Sequence, residues 1–162
     1  MDASSWIRSF RALHQRVRQG NVPDDERRLY DASKEQFARS LVAAQGLTVA
    51  PGESARRSFR VALVFRIELS VGGRRVKAAT LDVSVGGFSA RLDQAPDLNQ
   101  LVEFSLFVPG DQDPIVGKAK AVGARNLVAN ARVSFAFEGL PERGKERLEN
   151  VLFDAVLARL PE

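Results

Sequence analysis

FRVALVFRIELSVGGRRVKAATLDVSVGGFSARL, residues 59–92, changes the rhythm of the chain. Phe59, Val61, Leu63, Phe65, Ile67 and Leu69 all fall on odd positions, with Arg60, Ala62, Arg66 and Glu68 between them. A period of two puts apolar side chains on one face of an extended chain and polar ones on the other, so this segment is expected to form a half-buried strand. Gly72-Gly73 supplies the positive φ that a tight hairpin turn needs, which predicts a second strand over Arg74–Val83. Ser84–Gly87 reads as the next turn and Phe88–Leu92 as the strand after it.

Three more strands are expected downstream: Leu101–Val108, with Val102, Phe104, Leu106 and Val108 on one face, then Ile115–Ala124 and Ala131–Phe137. Six strands joined by short turns leave two bare edges if the sheet stays open, and bare edges invite pairing with other chains. Closure into a small antiparallel β-barrel removes them. Upstream the period is helical. Trp6, Phe10, Leu13 and Val17 mark a helix over residues 5–19, with Ser4 or Ser5 as N-cap and Gly20 as the stop. A second helix is expected from Pro23, where Asp24, Asp25 and Glu26 complement the positive end of the helix dipole, through Tyr30, Phe37 and Leu41 to Gly46. Pro141 opens a C-terminal helix whose Leu148, Val151, Leu152, Ala155, Val156 and Leu160 form an apolar stripe, expected to lie against the barrel. The predicted fold is therefore mainly β with α additions: a helical hairpin in residues 1–50, a six-stranded antiparallel barrel in 51–140 and a C-terminal helix in 141–162.

Composition narrows the function. The 162 residues include no cysteine, which excludes a disulfide scaffold, a thiolate metal site and a cysteine nucleophile. The one histidine, His14, lies mid-helix without a second histidine to complete a metal cluster or a nucleophile–base pair, and it reads as a packed or surface residue. Asp111 and Asp113 in PGDQDP read as turn chemistry. No glycine-rich phosphate loop opens a helix, since Gly72-Gly73 and Gly86-Gly87 fall between strands. No enzyme, metal or cofactor is expected. No apolar run nears the roughly 20 residues that span a bilayer, and the N-terminus is not built as a signal peptide, so a cytoplasmic protein without membrane insertion is expected.

The charge of +4 is unevenly placed. Residues 51–91 carry 8 Lys/Arg against 3 Asp/Glu, whereas residues 92–162 carry 8 against 11. A local positive field of this kind attracts a small polyanion or nucleic acid. Within it, Arg56-Arg57-Ser58-Phe59-Arg60 is followed about twenty residues later by Asp82-Val83-Ser84-Val85-Gly86-Gly87.

Together these segments resemble the PilZ domain family of cyclic di-GMP receptors, over roughly residues 54–140. In that family an Arg-x-x-x-Arg motif leads into the first barrel strand, matched here by Arg56 and Arg60. A second motif, Asp/Asn-x-Ser-x-x-Gly, is matched by Asp82, Ser84 and Gly87 at the close of the second strand. The resemblance implies that Arg56 and Arg60, with Arg57 as a helper, bind the ligand's phosphates or guanines. The chemistry agrees, because a guanidinium fork bonds phosphate oxygens or guanine O6 and N7 in two places and also stacks on a base. Asp82 then accepts from guanine N–H groups, Ser84 donates or accepts, and Gly87 allows close backbone approach or a positive φ. The implied protein is a non-catalytic receptor that passes ligand binding by conformational change to a downstream protein partner through its N-terminal helices. Two other readings remain open: a PilZ-fold interaction scaffold that binds no ligand, and a small barrel for single-stranded nucleic acid. The second is disfavoured because the strand phenylalanines follow the inward alternation, leaving few aromatics on which bases could stack.

Overall fold

The Gly72-Gly73 pair takes φ of +57° and +80°, the left-handed values of a two-residue hairpin turn, in the computed structural model, which describes residues 2–20, 22–45 and 59–160. It joins β1 (Arg66–Val71) to β2 (Arg74–Ser84) in register Val71↔Arg74 through Arg66↔Ala79. The following elements are β3 (Gly87–Leu92), β4 (Leu101–Phe107), β5 (Ile115–Asn126) and β6 (Ala131–Gly139). All pairings are antiparallel and close a barrel in the order β1-β2-β3-β6-β5-β4, as the edge argument requires. Two helices precede the barrel, α1 (Ala3–Gln19) and α2 (Asp24–Ala44), and α3 (Glu142–Arg159) follows it.

The chain divides into two compact units. Arg60–Leu152 is the barrel unit, and Met1–Phe59 with Phe153–Glu162 is the helical unit. Inward residues of alternating strands fill the barrel: Ile67 and Leu69 from β1, Phe88 from β3, Phe104 from β4, Val133 and Phe135 from β6 are all buried. Phe88 meets Phe104, Phe135 and Phe137 with ring centroids 4.9–5.8 Å apart. The first part of α3 is tied to this unit by Arg147, whose guanidinium bonds the Asp111 carboxylate at 3.1 Å and the carbonyls of Asp113 and Pro114. The PGDQDP turn thus anchors a helix as well as reversing the chain.

The first strand starts later than its alternation suggests. Phe59 and Val61 are buried as the pattern predicts, yet the β1 ladder begins only at Arg66. Before it, Val61 and Val83 exchange two backbone hydrogen bonds of 2.9 Å in an isolated bridge. The buried Thr80 hydroxyl covers the gap, donating to the Leu63 carbonyl at 2.7 Å and accepting from the Phe65 N–H at 2.8 Å. A register shift between Thr80 and Asp82 bends β2 at that point, so a side chain stands in where the ladder parts.

In the helical unit, Asp2 rather than Ser4 or Ser5 caps α1, its carboxylate accepting from the Ser5 N–H at 2.8 Å. Asp24, Asp25 and Glu26 occupy the first turn of α2, and Pro23 at its start provides no side-chain cap. Phe10 is central to the core, with Trp6, Tyr30, Phe37 and Phe153 around it at 5.2–5.9 Å. Phe59 packs on Phe153 at 5.2 Å. The C-terminal helix, expected as one stripe on the barrel, is shared: its buried Leu148 and Leu152 fall in the barrel unit, and its buried Phe153 and Leu157 in the helical unit. The expected stripe omits Phe153 and Leu157, because apolar residues occur on more than one face of α3 and periodicity alone does not say which face meets which neighbour. No helix among the described residues is long and apolar enough to cross a membrane.

Candidate ligand site

Ser84 and Gly87 close the turn between β2 and β3, with Val85-Gly86 as its two-residue tip. The Ser84 hydroxyl accepts from the N–H groups of Gly86 at 3.2 Å and Gly87 at 3.1 Å, and lies 3.3 Å from the Gly87 carbonyl, to which it donates. Serine thus builds the turn from its own backbone neighbourhood. Gly87 is required by packing: a Cβ there would stand 2.0 Å from the Phe135 carbonyl oxygen on β6. Its φ is not positive, which corrects one of the two reasons expected for glycine at this position.

Asp82 projects from β2 two residues before Ser84, on the same face. One of its oxygens, Oδ2, accepts from the Arg132 guanidinium of β6 at 2.7 Å, and the same nitrogen lies 3.4 Å from the hydroxyl of the buried Ser89. The Asp82 side chain is 17% exposed against 48% for Arg132, so the pair is partly shielded from water. Arg60 is exposed, and the Val61↔Val83 bridge brings it alongside Ser84. Arg60, Asp82, Ser84 and Gly87 line one concavity of about 180 Å³, together with Ser89 and Ser134. Arg56 and Arg57, the other expected ligand residues, lie outside the described residues.

A concavity of this size holds one base or one phosphate, since sites enclosing a whole small ligand run to about 300–1,000 Å³. Its lining combines a permanent cation, a carboxylate with one oxygen engaged and hydroxyls. That set suits a ligand bearing both negative charge and N–H donors. Arg132 is the residue that sequence reasoning misses. Its outward place in the Arg132-Val133-Ser134-Phe135 alternation is legible, whereas its contact with a residue fifty positions earlier emerges only when β3 pairs with β6.

A closed six-stranded antiparallel barrel with a charged, hydroxyl-rich hollow at a strand turn defines a small-barrel binding module. The PilZ domain description matches residues 54–154, and the chain belongs to the PilZ domain family. Solved structures share the fold. The inhibitor of motility MotI/DgrA from Bacillus subtilis superposes with a TM-score of 0.59 at 13% identity, over 71% of this chain and 60% of that one. The PilZ domain of YcgR from Escherichia coli, solved with c-di-GMP, gives a TM-score of 0.53 at 16% identity, over 62% of this chain and 91% of that one. MrkH from K. pneumonia gives 0.54 at 16% identity, over 69% and 52%. This chain therefore spans under two thirds of the length of MotI and of MrkH. No curated protein sequence matches it.

Proposed function

We propose that this protein is a non-catalytic receptor for cyclic di-GMP. The observation that carries the reading is the gathering of Arg60, Asp82, Ser84 and Gly87, which come from both halves of the family signature, around one concavity. Arg60 bonds a phosphate or the O6 and N7 edge of guanine. The Asp82 oxygen not engaged by Arg132 accepts from the guanine N1–H and N2–H groups. Cyclic di-GMP is larger than the hollow, so its remainder lies outside and falls to Arg56 and Arg57. The chain between α2 and Arg60 joins the helices to the site, so ligand binding is read out as a change in what α1 and α2 offer a downstream protein.

Calorimetric titration with cyclic di-GMP, cyclic di-AMP, GTP and a short single-stranded oligonucleotide, each at two salt concentrations, tests the reading. Cyclic di-GMP is expected to bind at least tenfold more tightly than the others. Equal heats from the two cyclic dinucleotides would reduce the site to a phosphate patch. Strongly salt-dependent binding of the oligonucleotide alone would favour a nucleic-acid barrel.

A further inference from the structure

The first residues of β2 have a ladder partner on one side only. Pairing with β1 runs from Arg74 to Ala79, whereas pairing with β3 begins at Thr80↔Ala90. Beyond Ala90, β3 continues along β6 through Arg91↔Arg132 and Leu92↔Ala131, and the chain then bends at Asp93-Gln94. Where β2 and β3 part there is a cavity of about 680 Å³, lined by Val71, Arg74, Val76, Lys77, Leu92 and Pro96 and bordered by Arg75 and Asp93. Arg74 and Val76 project from one face of β2, Arg75 and Lys77 from the other. A cavity touched by both faces of a strand runs along that strand's edge.

The chemistry of the edge is specific. Arg74, Arg75 and Lys77 are all exposed, and Asp93 is the one carboxylate among the lining residues. Arg75 has Glu68 at 3.8 Å, while the side chains of Arg74 and Lys77 have no ion pair or hydrogen bond among the described residues. Val71, Val76, Leu92 and Pro96 give the cavity apolar surface between these charges. Charged edges repel ordinary apolar strands and so block indiscriminate pairing, but a cationic edge admits a strand that carries acids. A compact anion would meet the cations and leave the ladder edge and the apolar surface unused. An extended peptide with alternating acidic and apolar side chains meets all three.

We propose that the edge of β2 over Arg74–Ala78 docks an acidic, extended segment of a partner protein, which adds a strand to the barrel wall. The surface is separate from the signature site: Ser84 lies nine residue steps along β2 from Arg75, about 30 Å of extended strand. Docking there does not depend on the cyclic di-GMP reading.

Fluorescence polarisation with a fluorescein-labelled Glu-Val-Glu-Val-Glu-Val peptide, using the full chain, provides the test. Binding is expected to weaken by about tenfold or more when glutamate is replaced by lysine in the peptide, and likewise when alternate peptide nitrogens are methylated. The double substitution Arg74→Gln with Lys77→Gln is expected to have a similar effect. Amide shifts of the unmutated, ¹⁵N-labelled protein are expected to move at residues 74–78 and 92–96 and to stay put at 82–87, which decides the matter if the double variant folds poorly. Unaltered affinity of the methylated peptide, complete displacement by ATP, or shifts mapping elsewhere would overturn the proposal. Saturating cyclic di-GMP is expected to leave peptide affinity within about threefold, so failure of either reading is distinguishable from failure of the other.

Discussion

Asp82 has two oxygens, and Arg132 engages one of them at 2.7 Å. If the other receives guanine donors, Arg132 is a positioning residue that holds the carboxylate turned toward the hollow. Arg60→Ala is expected to lower cyclic di-GMP affinity by about ten- to a hundredfold, the loss of one charge-assisted contact of about 1.5–3 kcal/mol. Arg132→Ala is expected to cost less, about three- to tenfold, with partial recovery in Arg132→Lys, because lysine restores the charge but not the fork. Calorimetry on the three variants checks both, and an Arg132→Ala loss exceeding that of Arg60→Ala would reverse their roles. Gly87→Ala is expected to fail differently. Its methyl group would press on the Phe135 carbonyl, backbone that cannot swing aside, so the barrel loses about 1–3 kcal/mol or more, visible as a lower melting temperature before any ligand is added. Sequence made these residues findable through their spacing but not through their reasons. Ser84 and Gly87 look like ligand groups in a string of letters, and the turn and the β6 backbone account for much of why they are there.

Among the elements, strand alternation was the strongest signal, and it reported burial rather than hydrogen bonding. Phe59 and Val61 obey it outside the β1 ladder, because a chain held extended over a core alternates whether or not a neighbouring strand pairs with it. The substitute for the missing ladder is Thr80, unremarkable in the sequence, whose hydroxyl satisfies two backbone groups on the approach to β1. Thr80→Val keeps the shape and removes the hydroxyl. It is expected to destabilise the barrel by about 1–3 kcal/mol, the cost of leaving part-buried backbone groups unpaired, seen as a lower urea midpoint with unchanged slope. A shift below about 0.5 kcal/mol would mean that water replaces the hydroxyl. The helices show where periodicity runs out. A stripe such as Trp6, Phe10 and Leu13 names one face, whereas in α3 Leu148 and Leu152 fall in one unit and Phe153 and Leu157 in the other, a division that no window of sequence reveals.

At the scale of the whole molecule, the helical unit has a polar core that composition alone passes over. His14, the one histidine, is buried between Tyr30, whose hydroxyl lies 2.6 Å from Nδ1, and Asp154, whose carboxylate lies 2.5 Å from Nε2. Arg18 bonds the other Asp154 oxygen at 3.0 Å, and Arg11 donates to the carbonyls of Leu157 and Leu160 at the end of α3. A histidine without sequence partners is thus fully partnered in space, in a structural role. Burial alone would push the Asp154 carboxyl up, but the hydrogen bond from His14 and the charge of Arg18 together outweigh it and hold the group below its ordinary value. A carboxyl whose pKa is lower folded than unfolded stabilises the fold fully above its unfolded value, and the contribution disappears as pH falls through the folded one. The window therefore opens near pH 4, the ordinary aspartate value of about 3.9, and extends downward. Trp6 is the one tryptophan and stacks on Phe10 at 5.6 Å, so its fluorescence reports this unit. Urea unfolding followed by Trp6 between pH 6 and pH 2.5 is expected to show the wild-type midpoint falling toward that of Asp154→Asn as the pH drops below 4. At pH 6 the variant should be the less stable of the two. Parallel curves across the whole range would show that the Asp154 carboxylate adds no pH-dependent stability, leaving the aromatic cluster around Phe10 to hold α1, α2 and the end of α3 together.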